Sequence, residues 1–231
     1  MNILGFILIL SVFIAILLGG HFFIYFSVVK FLAITSLGAK VWLGGGLLFL
    51  SVSFVLSSIL AHYSEGLLAR IIYSVFSFWL GMGWNLIMAF VVSWLVVGTA
   101  KMAGQSFDYK YLMVFSIIFM LVFSIWGAWN VYNPRIKNVT VKIKNLPQEW
   151  RDKKVIQLSD VHLGHIYGKK FLTKIVNKVN AQNPDMVFIT GDLFDGMDGS
   201  LSQLTGPLGG IKAPQGVYFI TGNHEYLPGH S

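Results

Sequence analysis

The chain has 231 residues, of which 55% are hydrophobic and only 12% charged, and it has no cysteine. Disulfides, zinc–thiolate sites and cysteine nucleophiles are therefore excluded. The net charge of +7 does not indicate nucleic acid, because neither a basic stripe interleaved with aromatics nor a recognition motif accompanies it. The charge is also unevenly spread. Up to Asn133 the only charged residues are Lys30, Lys40, Glu65, Arg70, Lys101, Asp108 and Lys110, whereas Arg135 to Lys212 holds the other twelve Lys and Arg. This is the composition of a membrane part followed by a water-soluble part.

A membrane-crossing helix needs about 20 apolar residues, at about 1.5 Å rise per residue through about 30 Å of hydrocarbon. Four segments qualify: 3–29, 41–61, 71–100 and 111–131. Lys30, Lys40, His62, Arg70, Lys101 and Lys110 bracket them, and Asn133-Pro134 closes the last. The first lacks a basic leader and outruns a signal-peptide core, so it reads as a retained span. The third is long for one crossing, with Gly81, Gly83 and Asn85 in its middle, and is expected to tilt or to break there. His21 and Asn85 lie within spans, and inter-helix hydrogen bonds are expected of them. Trp79, Trp84, Trp94, Trp126 and Trp129 are expected to face lipid or anchor at the interface.

Four crossings place both termini on one side. That side carries Arg70, Arg135, Lys137, Lys142 and Lys144, against Lys30, Lys40, Lys101 and Lys110 on the other. The excess points to a cytoplasmic C-terminal part. The basic residues after the fourth span read as a solvated, orienting flank beside anionic head groups.

The reading is thus an all-α transmembrane bundle over 1–133, followed over 134–231 by the first part of an α/β domain. There, the alternation of Val139, Val141 and Ile143 with Thr140 and Lys142 predicts a strand over 138–143. Leu146-Pro147 is a turn. Residues 154–158 form a short apolar strand. Phe171, Leu172, Ile175, Val176 and Val179 stand at helical spacing and predict a helix over 169–180. Residues 186–190 and 217–221 are apolar strands, with a helical turn over 201–204 between them. Continuous apolar strands with intervening helices imply a covered sheet whose ligands bind beyond the strand C-termini.

The chemistry follows each strand. One strand runs into Ser159-Asp160-Val161-His162, the next into Gly191-Asp192-Leu193-Phe194-Asp195, and the third into Gly222-Asn223-His224-Glu225. Carboxylate and amide oxygens with imidazole nitrogen suit Mn²⁺, Fe or Zn²⁺. Two such ions about 3.5–4 Å apart can bind a phosphate and activate a water.

These motifs, D-x-H, G-D-x-x-D and G-N-H-[DE], resemble in order and spacing those of the calcineurin-like metallophosphoesterases, over roughly 153–227. The four-span leader resembles bacterial membrane-bound members. The resemblance implies two divalent metal ions. It implies that Asp160 and His162 bind the first metal, that Asp192 bridges both, and that Asn223 binds the second and helps hold the phosphate. His224 would contact substrate and protonate the leaving oxygen, and Asp195 would orient His224. Glu225 reads as structural rather than a ligand, and His165 as a surface residue near the site.

The family completes its site with later histidine motifs. After His224 the sequence has only His230, too close to Asn223 to come from a separate strand. The expectation is a piece of a longer protein, with weak or no activity alone. The implied function is a membrane-anchored phosphoesterase whose partners are the bilayer and a phosphoester or pyrophosphate, lipid-linked ones included. The competing reading is a membrane transport or sensor protein with a non-catalytic, metal-binding domain.

Overall fold

A computed structural model describes residues 3–64, 66–196 and 204–226. Glu65, most of the expected turn over 201–204, and His230 lie outside them. The chain divides into two compact units, Met1–Leu60 with Ile71–Val131, and Ala61–Arg70 with Tyr132–Ser231.

The first unit is built from four helices, α1 (Ile3–Phe31), α2 (Leu37–Tyr63), α3 (Leu67–Met102) and α4 (Tyr109–Tyr132), all long and apolar enough to cross a membrane. Each extends past its apolar run, because a chain in hydrocarbon must satisfy its own backbone groups and the helix ends must reach the polar boundary. Helix α3 is continuous through Gly81 and Gly83. Its 36 residues give about 54 Å, more than the hydrocarbon thickness, so it crosses tilted or projects beyond it.

The unit has a small core of Ile24, Phe31, Leu47, Leu86, Phe90, Val97 and Leu112. Phe31 meets Phe90 edge-on at 5.6 Å and stacks on Tyr109 at 5.4 Å. Polar groups join α3 to its neighbours. The Trp79 indole donates to His21 Nε2 at 3.1 Å, and the Trp94 indole donates to Ser27 Oγ at 2.9 Å, linking α3 to α1. Asn85 Nδ2 donates to Ser124 Oγ at 3.0 Å, and Ser93 meets Ser116 at 3.1 Å, linking α3 to α4. His21 and Asn85 are thus inter-helix pairs. Trp84, Trp126 and Trp129 are exposed, but Trp79 and Trp94 are partly buried donors rather than lipid-facing anchors, because an indole N–H inside the bundle needs an acceptor.

The second unit is a three-stranded parallel sheet in the order β1 (Val155–Leu158), β2 (Met186–Thr190), β3 (Val217–Ile220). In register, Val155 pairs with Met186 and Val187 with Val217. Helix α5 (Lys169–Asn180) joins β1 to β2 and buries Leu172, Ile175, Val176 and Val179. These pack with Val187 and Ile189 of β2 and with Val161, Leu163 and Leu193 from the loops beyond the strands. At about 25 cal/mol per Å² of apolar surface removed from water, this cluster is the main local driving force.

The strand expected over 138–143 does not form. Val139, Val141 and Ile143 are exposed, and among the described residues no strand pairs with them. A strand is stable only with a ladder partner for its N–H and C=O groups, so the alternation alone cannot make one. Helix α4 stops at Tyr132 because Asn133 precedes Pro134 and is pushed out of the helical region. Within the second unit, the Lys174 ammonium donates to the Tyr132 carbonyl and to Asn133 Oδ1. Tyr132, Tyr167 and Phe171 form an aromatic cluster beside it.

Candidate metal centre

Three loops leave the C-terminal ends of β1, β2 and β3, and main-chain bonds hold the first two together. Asp160 N donates to the Gly191 carbonyl at 3.3 Å, His162 N to that of Asp192 at 3.1 Å, and Leu163 N to that of Leu193 at 2.8 Å. Asp195 N returns a bond to the Leu163 carbonyl at 2.9 Å. The β1–β2 pairing thus continues, irregularly, past the strands. The third loop closes on the second at Gly191, whose φ is +88° and where an added Cβ would lie 2.8 Å from Gly222 Cα. Only glycine fits so close a backbone crossing at a left-handed φ.

The backbone is strained where the chemistry sits. Asp160, His162 and Asp192 have φ of 55°, 49° and 51°. Left-handed non-glycine residues cost about 1–2 kcal/mol each, and Asp and His tolerate the region better than most. The bonds between the loops hold them there, a pattern common at functional sites.

This geometry brings His162, Asp192 and His224 together, with one ligand atom from each lying within 4.8 Å of the others. The His162 and His224 rings meet edge-on at 4.6 Å between centroids. Asp160 Oδ1 stands 4.0 Å from His162 Nε2, on a side chain 66% exposed, and the Ser159 hydroxyl donates to the other Asp160 oxygen. Asp192 Oδ1 accepts from the His224 main-chain N–H at 2.9 Å. Asn223 stands exposed between Gly222 and the 3-10 turn His224–Tyr226. The donors are oxygen and imidazole nitrogen without thiolate, a set that fits a divalent cation such as Mn²⁺, Fe²⁺ or Zn²⁺.

Two residues take positions that the sequence does not predict. His224 Nδ1 meets the main-chain carbonyl of Asp195 at 3.0 Å, so the Asp195 backbone supplies an orienting bond. A carbonyl fixes the imidazole tautomer as well as a carboxylate would. The Asp195 carboxylate lies against Gly164 of the first loop. His165 is half-buried rather than a surface residue, with Nε2 2.9 Å from the Ala61 carbonyl.

Residues 153–231 match the family model described as Calcineurin-like phosphoesterase. A "Transmembrane protein with metallophosphoesterase domain" of Danio rerio is 38% identical over 114 residues, 49% of this chain and 26% of its own length. An uncharacterized metallophosphoesterase of Campylobacter jejuni is 39% identical over 116 residues, 49% of this chain and 30% of its own. The "UDP-2,3-diacylglucosamine pyrophosphatase LpxG" of Chlamydia trachomatis is 30% identical over 105 residues, 44% of this chain and 32% of its own. The matched stretch therefore spans about a quarter to a third of these curated relatives. No solved structure matches.

Proposed function

We propose that this integral membrane protein, whose residues 153–231 are of the calcineurin-like metallophosphoesterase family, takes part in metal-dependent hydrolysis of a phosphoester or pyrophosphate at the bilayer surface. One observation carries the reading: a carboxylate oxygen of Asp192 and a ring nitrogen of each of His162 and His224 converge within 4.8 Å. Asp160 and His162 would hold one cation, Asp192 would bridge to a second, and Asn223 would bind that second cation. When bound, such cations supply a low-pKa water and neutralise charge on the phosphoryl oxygens.

The chain's own groups would do the rest. The bond from His224 Nδ1 to the Asp195 carbonyl fixes Nδ1 as the donor. Nε2 is then free to hold the proton passed to the leaving oxygen. The bond from His224 N to Asp192 Oδ1 keeps that imidazole at a set distance from the carboxylate. Asn223, exposed on the same loop, would orient the phosphate. The relative named as a UDP-2,3-diacylglucosamine pyrophosphatase, together with the four candidate spans of this chain, favours a lipid-linked phosphoester or pyrophosphate as substrate. The five-to-four excess of basic residues favours the cytoplasmic face.

The transport or sensor reading gains nothing from the spans. His21 is 6% exposed. Its Nε2 accepts from Trp79, so Nδ1 is the donor to the Leu17 carbonyl at 2.8 Å, and both ring nitrogens are used. The phosphoesterase reading is tested in detergent micelles with a chromogenic phosphodiester, on this chain, where turnover is expected to be weak, and on a form extended with a relative's later histidine motifs. Cleavage should require Mn²⁺ and fall more than about 100-fold in Asp192→Ala, beyond the loss usual for an outer-shell partner. Metal-independent cleavage, or cleavage indifferent to Asp192→Ala, would refute it.

A further inference from the structure

Glu225 follows His224 and has no part in the chemistry above. Its side chain is half-buried, and its two oxygens face main-chain N–H groups of two different loops. Oε2 accepts from Asp192 N at 2.9 Å and from Gly222 N at 2.6 Å, and Oε1 accepts from Phe194 N at 3.1 Å. Asp192 answers from the other side, its carboxylate accepting from His224 N. Each loop's acid therefore holds the other loop's backbone.

These bonds converge where the chain most needs holding. Asp192 sits at φ 51°, directly after the Gly191 crossing. An unpaired N–H there would leave the left-handed turn unsupported, and a half-buried donor without a partner costs about 1–3 kcal/mol. Only a carboxylate presents two oxygens that accept and never donate. Charge-assisted bonds of this kind are roughly twice as strong as neutral ones. Partial burial raises the Glu225 pKa, yet the N–H groups of Phe194, Gly222, Asp192 and Leu193 outweigh it and hold the carboxyl below its ordinary value.

We propose that Glu225 is a positioning residue, a carboxylate clamp that ties the Asp192 loop to the Asn223–His224 loop and so sets the distance between metal ligands of the two. The inference rests on the metal-centre reading. A glutamine cannot replace the clamp, because its NH₂ would face a main-chain N–H where the carboxylate offers an oxygen. An aspartate keeps both oxygens on a shorter arm.

The test uses the full chain in detergent. Mn²⁺ is titrated and the free ion followed by electron paramagnetic resonance, while amide hydrogen exchange is measured on metal-free protein. Glu225→Gln should weaken Mn²⁺ binding about 10–100-fold. It should also speed exchange at the amides of Asp192, Phe194 and Gly222 while α5 keeps its protection. Glu225→Asp should recover part of both. Unchanged affinity and unchanged exchange in Glu225→Gln would overturn the proposal. Loss of α5 protection in both variants would overturn it too, by assigning Glu225 to the folding of the whole unit. Should the unsubstituted chain bind no Mn²⁺, the metal-centre reading fails, and the exchange measurement alone still decides whether the clamp exists.

Discussion

Helices α1 and α5 use the same apolar residue types to opposite ends. Only 6% of the most apolar window of α1 is buried inside the protein, and Ile3, Leu4, Leu8 and Ile9 all lie open. In α5 the apolar positions fall on one face, and Leu172, Ile175, Val176 and Val179 are buried. The solvent makes the difference. Lipid tails are as apolar as leucine, so α1 gains little by burying its surface and is joined to α3 by indole–imidazole and indole–hydroxyl bonds instead. Water surrounds α5, and burial of its face holds the sheet in place. The two units likewise treat polar groups differently. In the helices His21 with Trp79, Ser27 with Trp94, Asn85 with Ser124 and Ser93 with Ser116 pair across the bundle. Beyond the sheet polar side chains bond to loop backbone and leave His162, Asp192 and His224 converging on one point.

Substitutions in each helix test this contrast. The largest effect is expected at Leu172, which is 0% exposed. Leu172→Ala should cost about 2–5 kcal/mol of the second unit's stability, read by denaturant unfolding in detergent. Leu8→Ala, on a lipid-facing side chain 64% exposed, should stay within about 0.5 kcal/mol. Equal effects would mean that α1 is packed on protein after all. A smaller effect is expected at His21. Removing it leaves the Trp79 indole without its acceptor, and His21→Ala should cost about 0.5–2 kcal/mol of helix association, measured by unfolding in mixed micelles. No change would show that the pair is incidental.

The smallest effect concerns pH. Asp185 bonds to Lys153 Nζ at 2.8 Å and to Lys154 N at 2.9 Å. The Lys153 side-chain bond, then the Lys154 backbone bond, hold its carboxyl below the ordinary 3.8. The folded value lies below the unfolded one. Asp185 therefore stabilises the second unit fully above that ordinary value, and the contribution is lost as pH falls through the depressed one. Lys153→Ala should flatten that acid step in a pH series of unfolding curves. An unaltered step would place the titration elsewhere.

Much of this fold is legible in the sequence where the physics is local. Helix α5 runs over Lys169–Asn180 as the spacing of Phe171, Leu172, Ile175, Val176 and Val179 requires. The run Met186–Thr190 is a strand, as its short β-branched and aromatic apolar run between Asn183-Pro184 and Gly191 predicts, but the expected cover holds on one face only, since Phe188 and Tyr218 stand exposed on the other. Legibility ends where structure depends on distant partners. Val139, Val141 and Ile143 alternate like a strand, yet pairing is not encoded in one segment. The left-handed backbones of Asp160, His162 and Asp192 are equally hidden, since the tolerance of Asp and His for that region is only a permission. Glu225 was visible as a motif residue. Its bonds to the loop of Asp192, 33 positions earlier, emerge only once the loops are folded together.

In the proposed centre, residues from separate strand ends share one cation. Electron spin-echo spectroscopy of Mn²⁺ bound to the full chain addresses it most directly. Imidazole nitrogen coupling should be present in the unsubstituted protein and reduced in His162→Ala, with binding itself lost in Asp192→Ala. Bound Mn²⁺ with no nitrogen coupling, or with coupling indifferent to both substitutions, would contradict it.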